Sequence, residues 1–308
     1  MRKMIGMRTK QTKFEVVAIH FTGDCNLHCS FCYQKKKEQL VVPGQKDLSF
    51  FLGLPLYLKE ITRQVALGGG EPFLYPYTFV RPFSKECSRY RIICNVTTNG
   101  TYFQKLFQEN LVEELREVLK YITMVSISFD KEKVRNKEDI DNYFKVVDWI
   151  KRIAEVKVVC NLLVDEEMFD EKNRFFYLVE ELLAHVDSVY ALCSKLIKYP
   201  PILERKAEYL LLTKLHPEKF FVDDLTYKII SEKSYDNWKT PCHYGSKIVS
   251  IDKYGRVFGC SFDDKEEDKI IQLEYPGDVL CLKPGITPDG VELKKRYSCP
   301  YLVKEVVV

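Results

Sequence analysis

Three closely spaced cysteines stand out in the segment Thr22-Gly23-Asp24-Cys25-Asn26-Leu27-His28-Cys29-Ser30-Phe31-Cys32-Tyr33. Their spacing is Cys-x3-Cys-x2-Cys. Three thiolates this close on one loop can each bind an iron of a cubane 4Fe–4S cluster, which takes four cysteines when fully ligated. The missing fourth ligand leaves one iron open, and an open metal position is where a substrate or cofactor binds. With 11 cysteines in 308 residues, chance supplies such a triplet roughly 0.014 times. A zinc loop or three buried thiols are the alternatives, although zinc prefers paired Cys-x2-Cys knuckles and a closed set of four ligands.

Hydrophobic patterning shows what must position this loop. Residues 15–21 form a short apolar, β-branched run that leads straight into the cysteines and reads as a strand. Further strands are expected at 63–67, 91–96, 121–128, 156–164 and 188–192. Helices are expected at 47–59 (disturbed by Pro55), within 77–89, and at 103–120, 140–153, 169–184 and 203–215. Strands alternating with helices in this rhythm predict parallel βα units. Six units fall short of the eight in a closed barrel, so the expected fold is α/β, a partial (β/α)6 TIM-type barrel. Such architectures place ligands at the carboxyl ends of the strands, where the cysteine loop lies. After about residue 234 the rhythm changes to a β-hairpin, residues 247–251 and 256–258 around Asp252-Lys253-Tyr254-Gly255. The expected organisation is a basic tail at 1–13, the partial barrel at 14–220, and a small hairpin-containing region at 221–308.

Composition excludes several classes. Hydrophobic residues make up 46% and charged residues 30%, as in an ordinary globular protein. A net charge of +3 argues against a general nucleic-acid binder. The cluster Arg2, Lys3, Arg8, Lys10 and Lys13 reads as a solvated tail. Residues 1–13 lack the apolar core of a signal peptide, and no apolar run is long enough to cross a bilayer. The chain therefore reads as cytoplasmic, with its cysteines reduced.

Beyond the cysteines, Gly69-Gly70-Glu71-Pro72 ends one expected strand, Thr97-Thr98-Asn99-Gly100 the next, and Ser126-Ile127-Ser128-Phe129-Asp130 the one after. Read alone, the glycines are a tight turn or a place where backbone approaches a ligand. Thr98 and Ser128 are capping residues or ligand-facing hydroxyls. Together with the cysteine loop and the aromatic Phe31 before the last cysteine, these motifs resemble the radical S-adenosylmethionine (SAM) enzymes over residues 14–220. The resemblance implies a 4Fe–4S cluster on Cys25, Cys29 and Cys32 whose open iron chelates the amino and carboxylate groups of SAM. One electron then breaks the sulfonium C–S bond, and the resulting 5′-deoxyadenosyl radical takes a hydrogen atom from a substrate. It implies SAM-binding roles for Phe31, Tyr33, Gly69, Gly70, Glu71, Thr98, Asn99, Ser128, Asp130 and Asn161. A one-electron donor such as a ferredoxin or flavodoxin is implied as well. No general base is visible.

The hairpin region resembles a truncated SPASM or twitch extension of that family. Cys242, Cys260, Cys281 and Cys299 then supply four thiolates for a second iron–sulfur cluster. A zinc site or unrelated thiols are the alternative. Cys87, Cys94, Cys160 and Cys193 read as buried thiols. By analogy with the truncated extension and Tyr33, the expected substrate is a peptide or protein side chain. A small molecule or cofactor precursor is the alternative, and a non-catalytic iron–sulfur or zinc protein is the alternative of another class.

Overall fold

Seven stretches pair edge to edge in chain order: β1 (Val16–Thr22), β2 (Gln64–Gly69), β3 (Ile93–Thr98), β4 (Met124–Phe129), β5 (Lys157–Val164), β6 (Ser188–Cys193) and β7 (Phe220–Val222). All of these pairings are parallel. The computed structural model describes residues 13–32, 45–164, 174–193, 206–222, 245, 247–260, 269–284 and 286. Tyr33, Cys242 and Cys299, expected to serve the site or a second cluster, lie outside the described residues, as does the basic tail up to residue 12.

The helices are α1 (Leu48–Gly53), α2 (Pro55–Ile61), α3 (Arg81–Arg89), α4 (Thr101–Gln108), α5 (Val112–Leu119), α6 (Lys137–Ile153), α7 (Arg174–His185) and α8 (Lys206–Leu215). Their starts follow local chemistry. Asp47 caps α1 by accepting from Phe50 N at 2.9 Å, and Asn136 caps α6 by accepting from Asp139 N at 3.0 Å. Pro55, whose missing N–H costs nothing in the first helical turn, opens α2. The single helix expected over 103–120 is two. Asn110 adopts a left-handed φ of 52°, a conformation asparagine tolerates, and the chain restarts as α5.

Alternation along each strand sorts its side chains. Val17, Ile19, Val65, Leu67, Cys94, Val96, Val125, Ile127, Val158 and Leu162 join the core packed under the helices. The intervening residues face the other way: Ala18 and His20, Ala66 and Gly68, Asn95 and Thr97, Ser126 and Ser128, Asn161. Toward the carboxyl ends of β1 to β4 the inner face is thus small and polar where the outer face is apolar.

The sheet continues past the six expected units. After β7, the expected hairpin forms as β8 (Ile248–Ile251) and β9 (Arg256–Phe258), followed by β10 (Ile271–Gln272). β8 lies parallel to β1 on its outer edge, Val16 opposite Ile248 through Ile19 opposite Ile251. The order is β10-β9-β8-β1-β2-β3-β4-β5-β6-β7. The carboxyl-terminal hairpin is therefore built onto the sheet of the barrel itself, and β1 is flanked on both sides.

Candidate functional site

The cysteine loop leaves β1 at the carboxyl end of the sheet and is fastened there by the loops that leave β2, β3 and β4. The first fastening is to β2. Gly70 N donates to Thr22 O at 2.9 Å, and Glu71 N donates to Asp24 O at 2.7 Å. This contact leaves no room for side chains. A Cβ on Gly69, whose φ is +109°, would stand 2.6 Å from Thr22 O, and one on Gly70 would stand 2.0 Å from Asp24 O. The space where two Cβ atoms would stand is taken by the chain's own cysteine loop.

Glu71 is 1% exposed and ties β2 to β3. Its carboxylate accepts from Phe73 N at 3.0 Å, Thr98 Oγ1 at 2.8 Å and Asn99 N at 2.7 Å. Burial pushes its carboxyl above the usual carboxylate range, against the hydrogen bonds from Asn99, Thr98 and Phe73 that favour the ionised form. Asn99 carries the link on to the loop. Its amide donates to Asn26 Oδ1 at 2.8 Å and approaches Cys25 Sγ at 3.8 Å. Asn26 in turn donates to Thr101 Oγ1 at 2.8 Å. The Tyr75 hydroxyl donates to Asp24 on the other flank.

The second half of the loop is held by the turn after β4. Ser30 N donates to Glu132 at 2.8 and 3.0 Å, its hydroxyl donates to the same carboxylate, and the Cys29 thiol lies close enough to feel its charge. Burial pushes the Cys29 thiol up to about 11; Lys133 pulls it down, while Asp130 and Glu132 raise it. Burial also disfavours charge on Glu132, but the bonds from Ser30, the neighbouring Cys29 thiol and the Lys133 ammonium outweigh it and hold its carboxyl below the usual range. Lys133 stands 5.6 Å over the Phe31 ring.

Asp130, to which the resemblance assigns SAM binding, is buried, with its carboxylate bonded to the Lys133 ammonium and to Glu132 N and Lys133 N at 3.1 and 3.2 Å. Ser128 and Asn161 are register partners on the inner face, both half-buried, with Tyr190 next in the row. Asn26, Thr101, Tyr75, Glu132 and Lys133 were not anticipated. The only local signal was Asn99-Gly100-Thr101, where two short polar side chains flank a left-handed glycine.

Cys25, Cys29 and Cys32 are each part-exposed. Among the described residues, no three His, Cys, Asp or Glu side chains gather so as to hold a metal ion. A cubane asks for something different, since its ligands bind separate irons around a larger body. Three sulfur donors on one tethered loop suit iron in that form. Cys260 is half-buried after β9, where its carbonyl accepts from Ser250 Oγ at 3.1 Å, and Cys281 is exposed. Cys87, Cys94 and Cys160 are buried core thiols as expected.

The Radical SAM superfamily pattern matches residues 19–172, half of the chain. The chain belongs to the radical SAM superfamily. That family uses a 4Fe–4S cluster and SAM. The chain is 27% identical over 166 residues to the S-adenosylmethionine-dependent nucleotide dehydratase RSAD2 of Oncorhynchus mykiss, covering 49% of this chain and 46% of that protein. Against the protein of the same name from Danio rerio it is 26% identical over 180 residues, covering 54% and 48%. This radical SAM chain therefore spans about half the length of those relatives. In fold it is similar to SuiB of Streptococcus suis, with TM-score 0.62 and 16% identity, covering 87% of this chain and 66% of that chain. It is also similar to anSMEcpe solved with AdoMet and a peptide, with TM-score 0.57 and 16% identity, covering 87% and 80%. No helix among the described residues is long and apolar enough to cross a membrane.

Proposed function

We propose that this chain cleaves SAM reductively on a 4Fe–4S cluster held by Cys25, Cys29 and Cys32, and directs the resulting radical at a peptide or protein side chain. The observation that carries the first part is the fastening of the cysteine loop to three strand ends through Glu71, Asn99 and Glu132. A loop held from three sides keeps its ligands in fixed relation, which a metal site needs. When bound, the cluster supplies the electron and SAM supplies the radical. The chain's own part is to orient them. Ser128 and Asn161 offer a hydroxyl and an amide on the inner face at the level of the loop, and Thr98 and Glu71 order the loop's floor. Phe31 packs at its edge. Gly69 and Gly70 let the loop descend to that floor.

Support for a peptide comes from fold likeness over most of the chain to anSMEcpe, solved with a peptide. Sequence likeness favours a second reading, a nucleotide, since the named relatives are nucleotide dehydratases. A deuterium-transfer assay decides between them. The reconstituted chain, strong reductant and SAM are offered deuterated peptides or deuterated nucleotides, and 5′-deoxyadenosine is weighed. Label gained only from peptides upholds the first reading; label gained only from nucleotides replaces it with the second. SAM bound but never cleaved sinks both. Iron counts on the wild-type chain and on a variant with Cys25, Cys29 and Cys32 changed to Ala test the ligands. About 4 irons falling to none leaves no second cluster, while about 4 irons remaining supports one on Cys242, Cys260, Cys281 and Cys299.

A further inference from the structure

Glu132 has no role in the motifs read from the sequence, yet it makes the closest contacts with the second half of the cysteine loop. Its placement is fixed from below. Asp130 is 2% exposed and accepts from Glu132 N and Lys133 N, and it pairs with the Lys133 ammonium, which braces the turn after β4 from within. That turn grips two adjacent loop residues with two adjacent side chains. Glu132 takes Ser30 N and the Ser30 hydroxyl, and Lys133 stands over the Phe31 ring. Ser30 and Phe31 are the two residues between Cys29 and Cys32, and Cys32 N closes the same turn by donating to Cys29 O at 3.2 Å.

A carboxylate is an unexpected choice for this grip. A neutral amide oxygen accepts a backbone N–H as well, without placing a negative charge against a sulfur that must itself become anionic to bind iron. Charge close to an iron–sulfur cluster has a known effect: reduction potential depends on net charge and on hydrogen bonds around the sulfurs. A negative charge disfavours adding an electron, so it lowers the potential and makes the reduced cluster a stronger donor. Breaking a sulfonium C–S bond needs a strong donor.

We propose that Glu132 is a positioning residue that seats the Cys29–Cys32 half of the loop and, by its charge, holds the cluster's reduction potential low. This rests on the reading of Cys25, Cys29 and Cys32 as cluster ligands.

The test uses the full chain, reconstituted anaerobically, as wild type, Glu132→Gln and Glu132→Ala. Gln keeps an acceptor for Ser30 and removes the charge. Its iron content and thermal unfolding should match wild type, while the midpoint of an EPR-monitored reductive titration should move to higher potential. Ala removes the grip as well, and iron should pass to a chelator about tenfold faster. A Gln midpoint equal to wild type overturns the tuning role. An Ala variant that folds and releases iron at the wild-type rate overturns the seating role. Should Ala fail to fold, the Gln midpoint alone decides. A wild-type chain that takes up no iron overturns the ligand reading itself and the proposal with it, an outcome distinct from a loaded wild type with an indifferent Glu132.

Discussion

Two buried carboxylates anchor turns at the carboxyl end of the same sheet, and they are satisfied in different ways. Asp252, after β8, is 4% exposed. It accepts from Tyr254 N and Arg256 N at 3.0 and 2.9 Å and pairs with the Arg256 guanidinium at 2.8 and 2.6 Å. That guanidinium lies 5.0 Å from the Tyr254 ring and 5.4 Å from the Phe258 ring. The hairpin tip is thus a local lock, with its charge cancelled within a few residues. Glu71 is as deeply buried but has only neutral donors as its hydrogen-bond partners, drawn from segments that begin far apart in the chain. Its lock is long-range and open to titration. A turn that only has to hold its shape can neutralise itself. A turn that must bring three loops together spreads its hydrogen bonds among them and leaves its charge without a guanidinium.

The contrast can be broken by mutation. Asp252→Ala removes the carboxylate that pairs with a buried guanidinium and should cost about 3–5 kcal/mol in denaturant unfolding. Gly70→Ala forces a Cβ against Asp24 O and should cost about 3 kcal/mol. Unlike Asp252→Ala, it should also abolish iron retention on the cysteine loop, measured by iron content after desalting. Equal iron loss in both variants would remove the distinction between the two locks.

Glu71→Gln is milder. It replaces one acceptor oxygen by an NH2 that faces the donors of the lock, and should cost about 1–3 kcal/mol. The smallest effect is the pH dependence. Burial raises the folded-state pKa of Glu71, so the native state holds this proton more tightly than the unfolded state. Stability tied to this group is fully present below the unfolded value of about 4.3 and declines as pH rises through the folded pKa. Melting temperatures from pH 4 to pH 7 should therefore fall more steeply in wild type than in Glu71→Gln. Parallel curves would show that the Glu71 carboxyl does not titrate in this window.

Much of this was legible from local pattern. Strand ends, the Gly69-Gly70-Glu71 turn and the Thr98-Asn99 pair lie where alternation and turn residues put them, because each is set by neighbours in sequence. The break at Asn110 was hidden because Leu106, Phe107, Leu111 and Leu115 keep one apolar rhythm through it, and a single left-handed residue leaves no trace in periodicity. Three-residue β7 is too short for alternation to register. The role of Asp130 could have been guessed from Lys133 three residues on, a spacing that favours pairing across a turn. The role of Glu132 could not, since its partner Ser30 is met only after four strands have been laid side by side.

The position of β1 has a consequence for how the molecule is made. Its inner neighbour β2 follows soon after it in the chain, but its outer neighbour β8 comes only after β7. Until then the strand that carries the cysteines presents an open edge, the kind of edge that invites pairing with the wrong chain. Closing it requires contact between segments far apart in the sequence, the slowest class of contact to form. The cysteine loop is therefore finished late, and iron delivered to the nascent chain meets thiols whose supporting strand is still half-paired.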